Sequence, residues 1–222
     1  LPALGALLLQ RPWRSTTPPS TWAVAHVAAL HVLVWLFMPI GYNSDSTEYL
    51  AGVSTLLDGE PTYFPPGYSL FLSPWALLTP QWTGFVATGV QHVCMLLTLL
   101  WLRRLAARVM GEDMATLGLL VTGSVAPTLL LPQTILSENV ALYGMAGALS
   151  FASRRDPAHA LQNGLVARAF TGLATLARVV PLPALAVPLL LVHYSPLDRR
   201  RSLLRTGRVL SVAVAALLVP VI

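Results

Sequence analysis

The sequence contains no lysine, only one cysteine and few charged residues of either sign. Charged residues make up 10% of its 222 residues, against roughly 25% in ordinary soluble domains. The single cysteine, Cys94, cannot form an internal disulfide and lies in an apolar run, which predicts a buried small side chain. A single large soluble α-helical domain is also disfavoured, because the run 22–40 is apolar on all sides rather than along one stripe.

Long apolar runs take the place of the missing charges. Hydrophobic residues make up 55% of the chain, and runs near the length of a membrane span recur along it. We therefore predict an all-α integral membrane protein with about seven transmembrane helices. The apolar segments are 22–40, 82–102, 113–131, 134–152, 162–179, 181–195 and 207–222. The first residue is not Met and the last lie in an apolar run, so we expect a piece of a longer chain.

The arginines indicate how these segments are oriented. The net charge is +5, but the arginines are dispersed among apolar runs rather than gathered on one basic face, which argues against a nucleic-acid partner. If residues 1–21 are a cytoplasmic N-terminal segment, twelve of the fourteen arginines fall on the cytoplasmic side, as the positive-inside rule requires. They are Arg11, Arg14, Arg103, Arg104, Arg108, Arg154, Arg155, Arg199, Arg200, Arg201, Arg205 and Arg208. This orientation predicts a multi-pass protein of the cell membrane, with the transmembrane module at 22–222.

The predicted outer connection, 41–81, holds four of the nine carboxylates. Ser44 is suited to cap a helix that begins near Asp45, and apolar residues then recur at helical spacing. The Asp58-Gly59 pair is typical of a helix end. The pattern predicts an amphipathic helix on the membrane surface. The sequence "YFPPGY" predicts a turn, and "SLFLSPWALL" a second interfacial stretch.

Four charged residues are candidates for a site on the outer side. Asp45 and Glu48 are three residues apart, so a helix brings them close, and neighbouring carboxylates can make one a general base. Glu138 and Arg178 lie near the outer ends of the fourth and fifth segments, and ionisable groups inside spans are usually functional. The alternatives are that the acids cap a helix in water, that Glu138 pairs with a neighbouring helix and that Arg178 reaches lipid headgroups.

The stretches "DSTEYLAGVSTLLDG" and "YFPPGYSLFL" resemble the first outer loop of the GT-C glycosyltransferases, which use polyprenyl-phosphate sugars. These include protein O-mannosyltransferases, aminoarabinose transferases and actinobacterial mannosyl- and arabinosyltransferases. The matching positions are Asp45, Tyr49, Ala51, Leu56, Leu57, Gly59, Pro65, Pro66 and Gly67. "ILSENVALYG", with Glu138, and the Arg178 segment resemble later parts of that module. One departure is Ser46, where many relatives have a second carboxylate.

The resemblance implies an inverting transferase that moves a sugar from a polyprenyl-phosphate donor to a glycan, lipid or protein acceptor outside the membrane. Asp45 would be the catalytic base and Arg178 would hold the donor phosphate. The remaining substrate-binding positions would be Glu48, Tyr49, Tyr68 and Glu138. No cofactor is required, and Glu138 would bind either an acceptor or sugar hydroxyl or a divalent cation.

Two other functions remain open at this point. In a transporter or lipid flippase, Glu138 and Arg178 would be a coupling pair, and prolines would break helices around a site at the membrane midplane. A non-catalytic membrane subunit of a glycosyltransferase complex is the other alternative. His31 and His92 lie in apolar runs without metal-type spacing, which favours packing over metal binding.

Overall fold

The computed structural model describes residues 21–154 and 159–178, and within them the chain is all-helical. This confirms the predicted all-α class. The predicted segments 181–195 and 207–222, and nearly all of the N-terminal segment 1–21, lie outside the described residues. The helices are α1 (Thr21–Phe37), α2 (Ser44–Leu57), α3 (Pro66–Leu78), α4 (Thr83–Met110), α5 (Glu112–Ser124), α6 (Ala126–Leu130), α7 (Ser137–Ala152) and α8 (Ala160–Ala177), with 3₁₀ turns at Pro80–Trp82 and Leu131–Gln133.

One continuous helical stretch in the described residues, Pro80–Arg108, is long and apolar enough to cross a membrane. Half of its most apolar window is buried against the rest of the protein. The first predicted segment, 22–40, is the shorter apolar helix α1. The described residues thus contain one continuous candidate span.

The segment predicted at 113–131 is not one straight helix. It is divided into α5 and a second stretch made of α6 and the 3₁₀ turn Leu131–Gln133. The two stretches meet at an angle of 63° and are long and apolar enough to cross a membrane only when taken together. Val125 between them has an extended backbone. Pro127 explains the break, because proline lacks an N–H and its ring collides with the carbonyl one turn earlier.

Helices α4 and α5 form a tight hairpin at the end of the protein away from the acidic connection. Gly111 joins them with a φ of 86°, a backbone conformation that favours glycine. Arg103 is buried and its Nη2 donates to the Glu112 carboxylate at 2.7 Å and to Thr116 Oγ1 at 3.1 Å. The pair therefore satisfies a guanidinium that would otherwise be buried without an acceptor.

Helices α7 and α8 pack closely because small residues line the contact. A side chain at Gly144 would collide with Ala174, and one at Gly147 would collide with the ring of Phe170. Small residues of this kind allow helix backbones to approach closely. These two contacts show that the helices run antiparallel, so the start of α7 lies beside the end of α8.

A short parallel bridge fastens the acidic connection to the segment before α7. Gly41 N donates to Gln133 O at 2.9 Å, and Ile135 N donates to Gly41 O at 3.2 Å. One turn into α2, Ser46 Oγ donates to Ile135 O at 2.8 Å. The start of α2 is therefore held against the residues that lead into α7.

The amphipathic helix predicted near Asp45 is present as α2, but its cap is Asn43 rather than Ser44. Asn43 Oδ1 accepts from Ser46 N, and Ser46 Oγ accepts from Asn43 N, which forms a reciprocal capping box. The predicted cap, Ser44, was wrong by one residue, because Asn43 and Ser44 have similar capping chemistry. At the other end, Gly59 has the positive φ expected of a helix end.

Candidate active site

Asp45, Glu138 and Arg178 come from three different parts of the chain and lie where the start of α2, the start of α7 and the end of α8 come together. Asp45 lies in the first turn of α2, Glu138 in the first turn of α7, and Arg178 directly after α8. Ser46, which follows Asp45, donates to Ile135 O at 2.8 Å, and Glu138 pairs with Arg178. The bridge between 41 and 134 brings α2 to α7, and the antiparallel packing of α7 and α8 adds Arg178.

Glu138 and Arg178 form an ion pair through Glu138 Oε1 and Arg178 Nη1. Both side chains are about one-third exposed, at 34% and 35%. Exposure to solvent screens such a pair, and pairs of this kind contribute only about 0–1 kcal/mol to stability. Glu138 Oε2 is buried and accepts no hydrogen bond from the residues that the structure describes.

Tyr49 links α2 to α7 through its hydroxyl group. Tyr49 Oη and Ser137 Oγ are 2.8 Å apart, and the ring is buried between Phe64 and Tyr68. Burial raises the pKa of Tyr49; the Ser137 hydrogen bond and Arg178 lower it, while Glu138 and Asp45 raise it. The phenol therefore stays protonated and neutral beside the charged groups.

Asp45 and Glu48 share α2 but have different surroundings. Asp45 is partly buried, and its Oδ1 accepts a long hydrogen bond of 3.4 Å from Ser44 Oγ. Glu48 is exposed and is not among the charges that act on Tyr49. The structure thus brings Asp45 toward Glu138 and Arg178 but leaves Glu48 facing outward.

Tyr68 lies in the core rather than on an accessible surface. It is fully buried, and its hydroxyl donates to Gln91 Oε1 at 2.5 Å. Burial raises the pKa of Tyr68, with smaller contributions from Tyr49 and Glu138. A role in stacking directly on a sugar is therefore incompatible with its position here. Tyr68 lies beneath the site, where its ring packs edge-on against the ring of Tyr49.

Two buried amide side chains, Gln91 and Asn139, bind the backbone beneath the site, and neither is among the residues predicted from the sequence. Gln91 Nε2 donates to Pro132 O and to Thr134 O, both at 2.9 Å. Asn139 Nδ2 donates to Gln91 O at 2.9 Å. Their position within apolar runs could have indicated this role, because a buried amide needs hydrogen-bond partners. These bonds hold the segment that carries Glu138.

The two histidines of the apolar runs belong to a second buried network. His31 Nδ1 and His92 Nδ1 are 2.8 Å apart, and His92 Nε2 is 3.0 Å from Gln133 Oε1. Gln133 Nε2 donates to Met38 O at 2.7 Å. Within 21–154 and 159–178, no group of three or more His, Cys, Asp or Glu side chains is placed to hold a metal ion.

Comparison with known proteins gave no relative. No protein-family description, curated protein or solved structure matches the chain.

Proposed function

We propose that the protein is an inverting, GT-C-like glycosyltransferase that moves a sugar from a polyprenyl-phosphate donor to an acceptor. The ion pair of Glu138 with Arg178, held next to the start of α2 by the contact between Tyr49 and Ser137, carries this proposal. The arrangement provides a carboxylate base and a guanidinium within one partly exposed site. The resemblance of the acidic connection to the first outer loop of GT-C enzymes supports the same reading.

In the proposed reaction, Asp45 removes the proton from an acceptor hydroxyl as its oxygen attacks the anomeric carbon. The bond from that carbon to the phosphate oxygen breaks, and the configuration of the carbon is inverted. The leaving phosphate is already anionic, so it needs a cation more than a proton. Arg178 supplies this cation, because a guanidinium matches the geometry of phosphate oxygens.

The other residues bind and position. Glu138 Oε2, which has no hydrogen-bond donor among the described residues, accepts from a sugar or acceptor hydroxyl. Glu48 is exposed and contacts the acceptor. Tyr49 links α2 to α7, and Tyr68 links α3 to α4. In the proposed topology the protein crosses the cell membrane about seven times, with a cytoplasmic N-terminus and the site on the outer face.

The proposal is tested with Asp45→Asn in nanodiscs, following transfer from a radiolabelled polyprenyl-phosphate sugar and, separately, binding of that donor. Transfer is expected to fall about 10²- to 10⁴-fold, the range of a lost general base, while donor binding persists. Asp113→Asn is the matched control, since this exposed aspartate also lies in the first turn of a helix, far from the site. Arg178→Gln is expected to weaken donor binding instead.

Wild-type transfer by Asp45→Asn would overturn the mechanism. A donor that crosses the membrane of a sealed vesicle without transfer would favour a flippase. Loss of transfer only when a second protein is removed would favour an accessory subunit.

A further inference from the structure

The arginine of the candidate active site is held in an ion pair with a carboxylate. Arg178 Nη1 contacts Glu138 Oε1, and both side chains are about one-third exposed. Solvent screens an exposed pair of this kind and weakens it, so a second anion can compete for the guanidinium. In the proposed transferase reaction this second anion is the phosphate of the donor. The phosphate and Glu138 therefore act on the same guanidinium.

The backbone around Glu138 is anchored on both sides. Ser137 Oγ lies 2.8 Å from Tyr49 Oη of α2, and Asn139 Nδ2 donates to Gln91 O of α4 at 2.9 Å. Glu138 also lies in the first turn of α7, where the helix dipole favours a negative charge. The carboxylate is thus a negative charge that the fold holds beside the guanidinium.

Arg178 is positioned by the packing of α8 against α7. Its backbone N donates to Ala174 O at 3.1 Å, which joins it to the last turn of α8. A side chain at Gly144 of α7 would collide with Ala174, so the two helices approach closely at this level. The two charges are therefore kept together by the fold, and a phosphate that binds the guanidinium also meets the carboxylate.

Sugar transfer changes the charge of the phosphate that Arg178 would bind. The donor is a phosphodiester, which carries one negative charge. When the bond to the anomeric carbon breaks, its electron pair stays on the phosphate oxygen, and the product is a phosphomonoester. A monoester carries a charge of about −1.5 to −2 at pH 7. A guanidinium alone would bind this product more tightly than the donor and slow its release.

We propose that Glu138 makes the site select a phosphodiester over a phosphomonoester and promotes release of the polyprenyl phosphate product. The repulsion between Glu138 and the phosphate grows with the charge of the phosphate, so it acts more on the product than on the donor. As the product leaves, the carboxylate pairs with Arg178 again and restores the ion pair of the structure. This inference rests on the proposed transferase function and adds a second role to Glu138.

Binding is measured in nanodiscs with two lipids that share one chain, radiolabelled farnesyl phosphate and its methyl diester, and the label retained by empty nanodiscs is subtracted. Neither lipid carries a sugar, so the measurement does not depend on transfer. Glu138→Gln is expected to tighten binding of farnesyl phosphate roughly two- to fivefold and binding of the diester by less than about twofold. Arg178→Gln is expected to weaken binding of both lipids by roughly tenfold or more.

Glu60→Gln is the matched control, because it makes the same chemical change at an exposed glutamate in the connection between α2 and α3. It is expected to leave both affinities unchanged. Glu138→Asp keeps the negative charge and is expected to keep the selectivity of wild type, and thermal unfolding checks that each variant is folded. The proposal is overturned if Glu138→Gln weakens binding of farnesyl phosphate, if it changes both affinities by the same factor, or if wild type binds neither lipid.

Turnover separates this inference from the proposed function. Glu138→Gln is expected to lower kcat and the KM for the donor together, because the product leaves more slowly. A purely structural role would lower kcat without lowering this KM. Selectivity for the diester in a wild-type protein that transfers no sugar contradicts the transferase function alone. Sugar transfer by wild type, with unchanged selectivity in Glu138→Gln, contradicts this inference alone.

Discussion

The hydroxyl groups of Tyr49 and Ser137 lie 2.8 Å apart although 88 residues separate them in sequence. Ser137 is the first residue of α7 and Tyr49 lies in the second turn of α2. Because Asp45 is one helical turn before Tyr49 and Glu138 directly follows Ser137, this bond fixes the two acids relative to each other.

Tyr49 predicts a loss of stability at high pH. Burial raises the pKa of Tyr49 above its ordinary value of 10.0, so the folded protein favours the neutral phenol. The contribution is fully present below pH 10 and is lost as the pH rises through the folded-state pKa. We expect Tyr49→Phe to unfold with a weaker dependence on pH in this window, measured by thermal unfolding in detergent. Tyr63→Phe is the control, and an equal change in both variants would contradict the prediction.

Asn43 caps α2 and the neighbouring Ser44 does not, so the two residues are expected to differ in their contribution to stability. Asn43→Ala removes the acceptor of the Ser46 N–H and is expected to cost about 1 kcal/mol of unfolding free energy. Ser44→Ala is expected to change it by less than about 0.5 kcal/mol, as is usual for surface substitutions. Equilibrium unfolding in urea measures both. A larger loss of unfolding free energy in Ser44→Ala than in Asn43→Ala would show that Ser44 is the cap, as the sequence predicted.

Gly67 determines how closely α3 approaches the end of α8. A Cβ at this position would overlap the backbone of Leu176, two residues before Arg178. Backbone cannot move aside as a flexible side chain can, so we expect Gly67→Ala to cost about 1–3 kcal/mol, as overpacking does. It should also weaken donor binding, because the position of Arg178 shifts.

The control for Gly67→Ala is Gly164→Ala, where nothing lies within 4 Å of the added Cβ. Alanine in a helix is favoured over glycine by about 0.5–1 kcal/mol, so this variant should be as stable as wild type or more so. Thermal unfolding and donor binding measured together test the pair. Normal donor binding in a destabilised Gly67→Ala would show that Arg178 is positioned independently of α3.

Gln91 is expected to be one of the most sensitive polar positions. Gln91→Leu leaves the Tyr68 hydroxyl and the carbonyls of Pro132 and Thr134 without their partner. Each buried group left unsatisfied costs about 1–3 kcal/mol, so a loss on the order of 3 kcal/mol is expected. Gln81→Leu, at an exposed glutamine before α4, is the control and should be nearly neutral. Urea unfolding that shows equal effects would contradict this network.

The sequence predicted the helices well where a single local signal decides the outcome. The apolar spacing after Asp45 predicted α2, and the pair Asp58-Gly59 predicted where it ends. The apolar segment 113–131 was predicted as one span, but it is divided at Val125, because Pro127 follows within it and proline bends some helices and ends others. The cap was misplaced because Asn43 and Ser44 have similar capping chemistry, and only the bond with Ser46 distinguishes them.

The composition of the site could be anticipated, but its geometry could not. Asp45, Glu138 and Arg178 were recognisable as charges in or beside apolar runs. The pairing of Glu138 with Arg178 depends on the register between α7 and α8, which Gly144 and Gly147 set by close packing. The outward position of Glu48 depends on which face of α2 meets α7, and the burial of Tyr68 on which face of α3 enters the core. These are properties of packing and do not follow from local pattern.

The ion pair between Glu138 and Arg178 also determines when, during synthesis of the chain, the site can form. Asp45 and Glu138 both leave the ribosome before Arg178, which is the last residue that the structure describes. A chain released before that residue would carry both carboxylates without the guanidinium that pairs with Glu138. The site is therefore chemically complete only after α8 has been made and has folded back along α7.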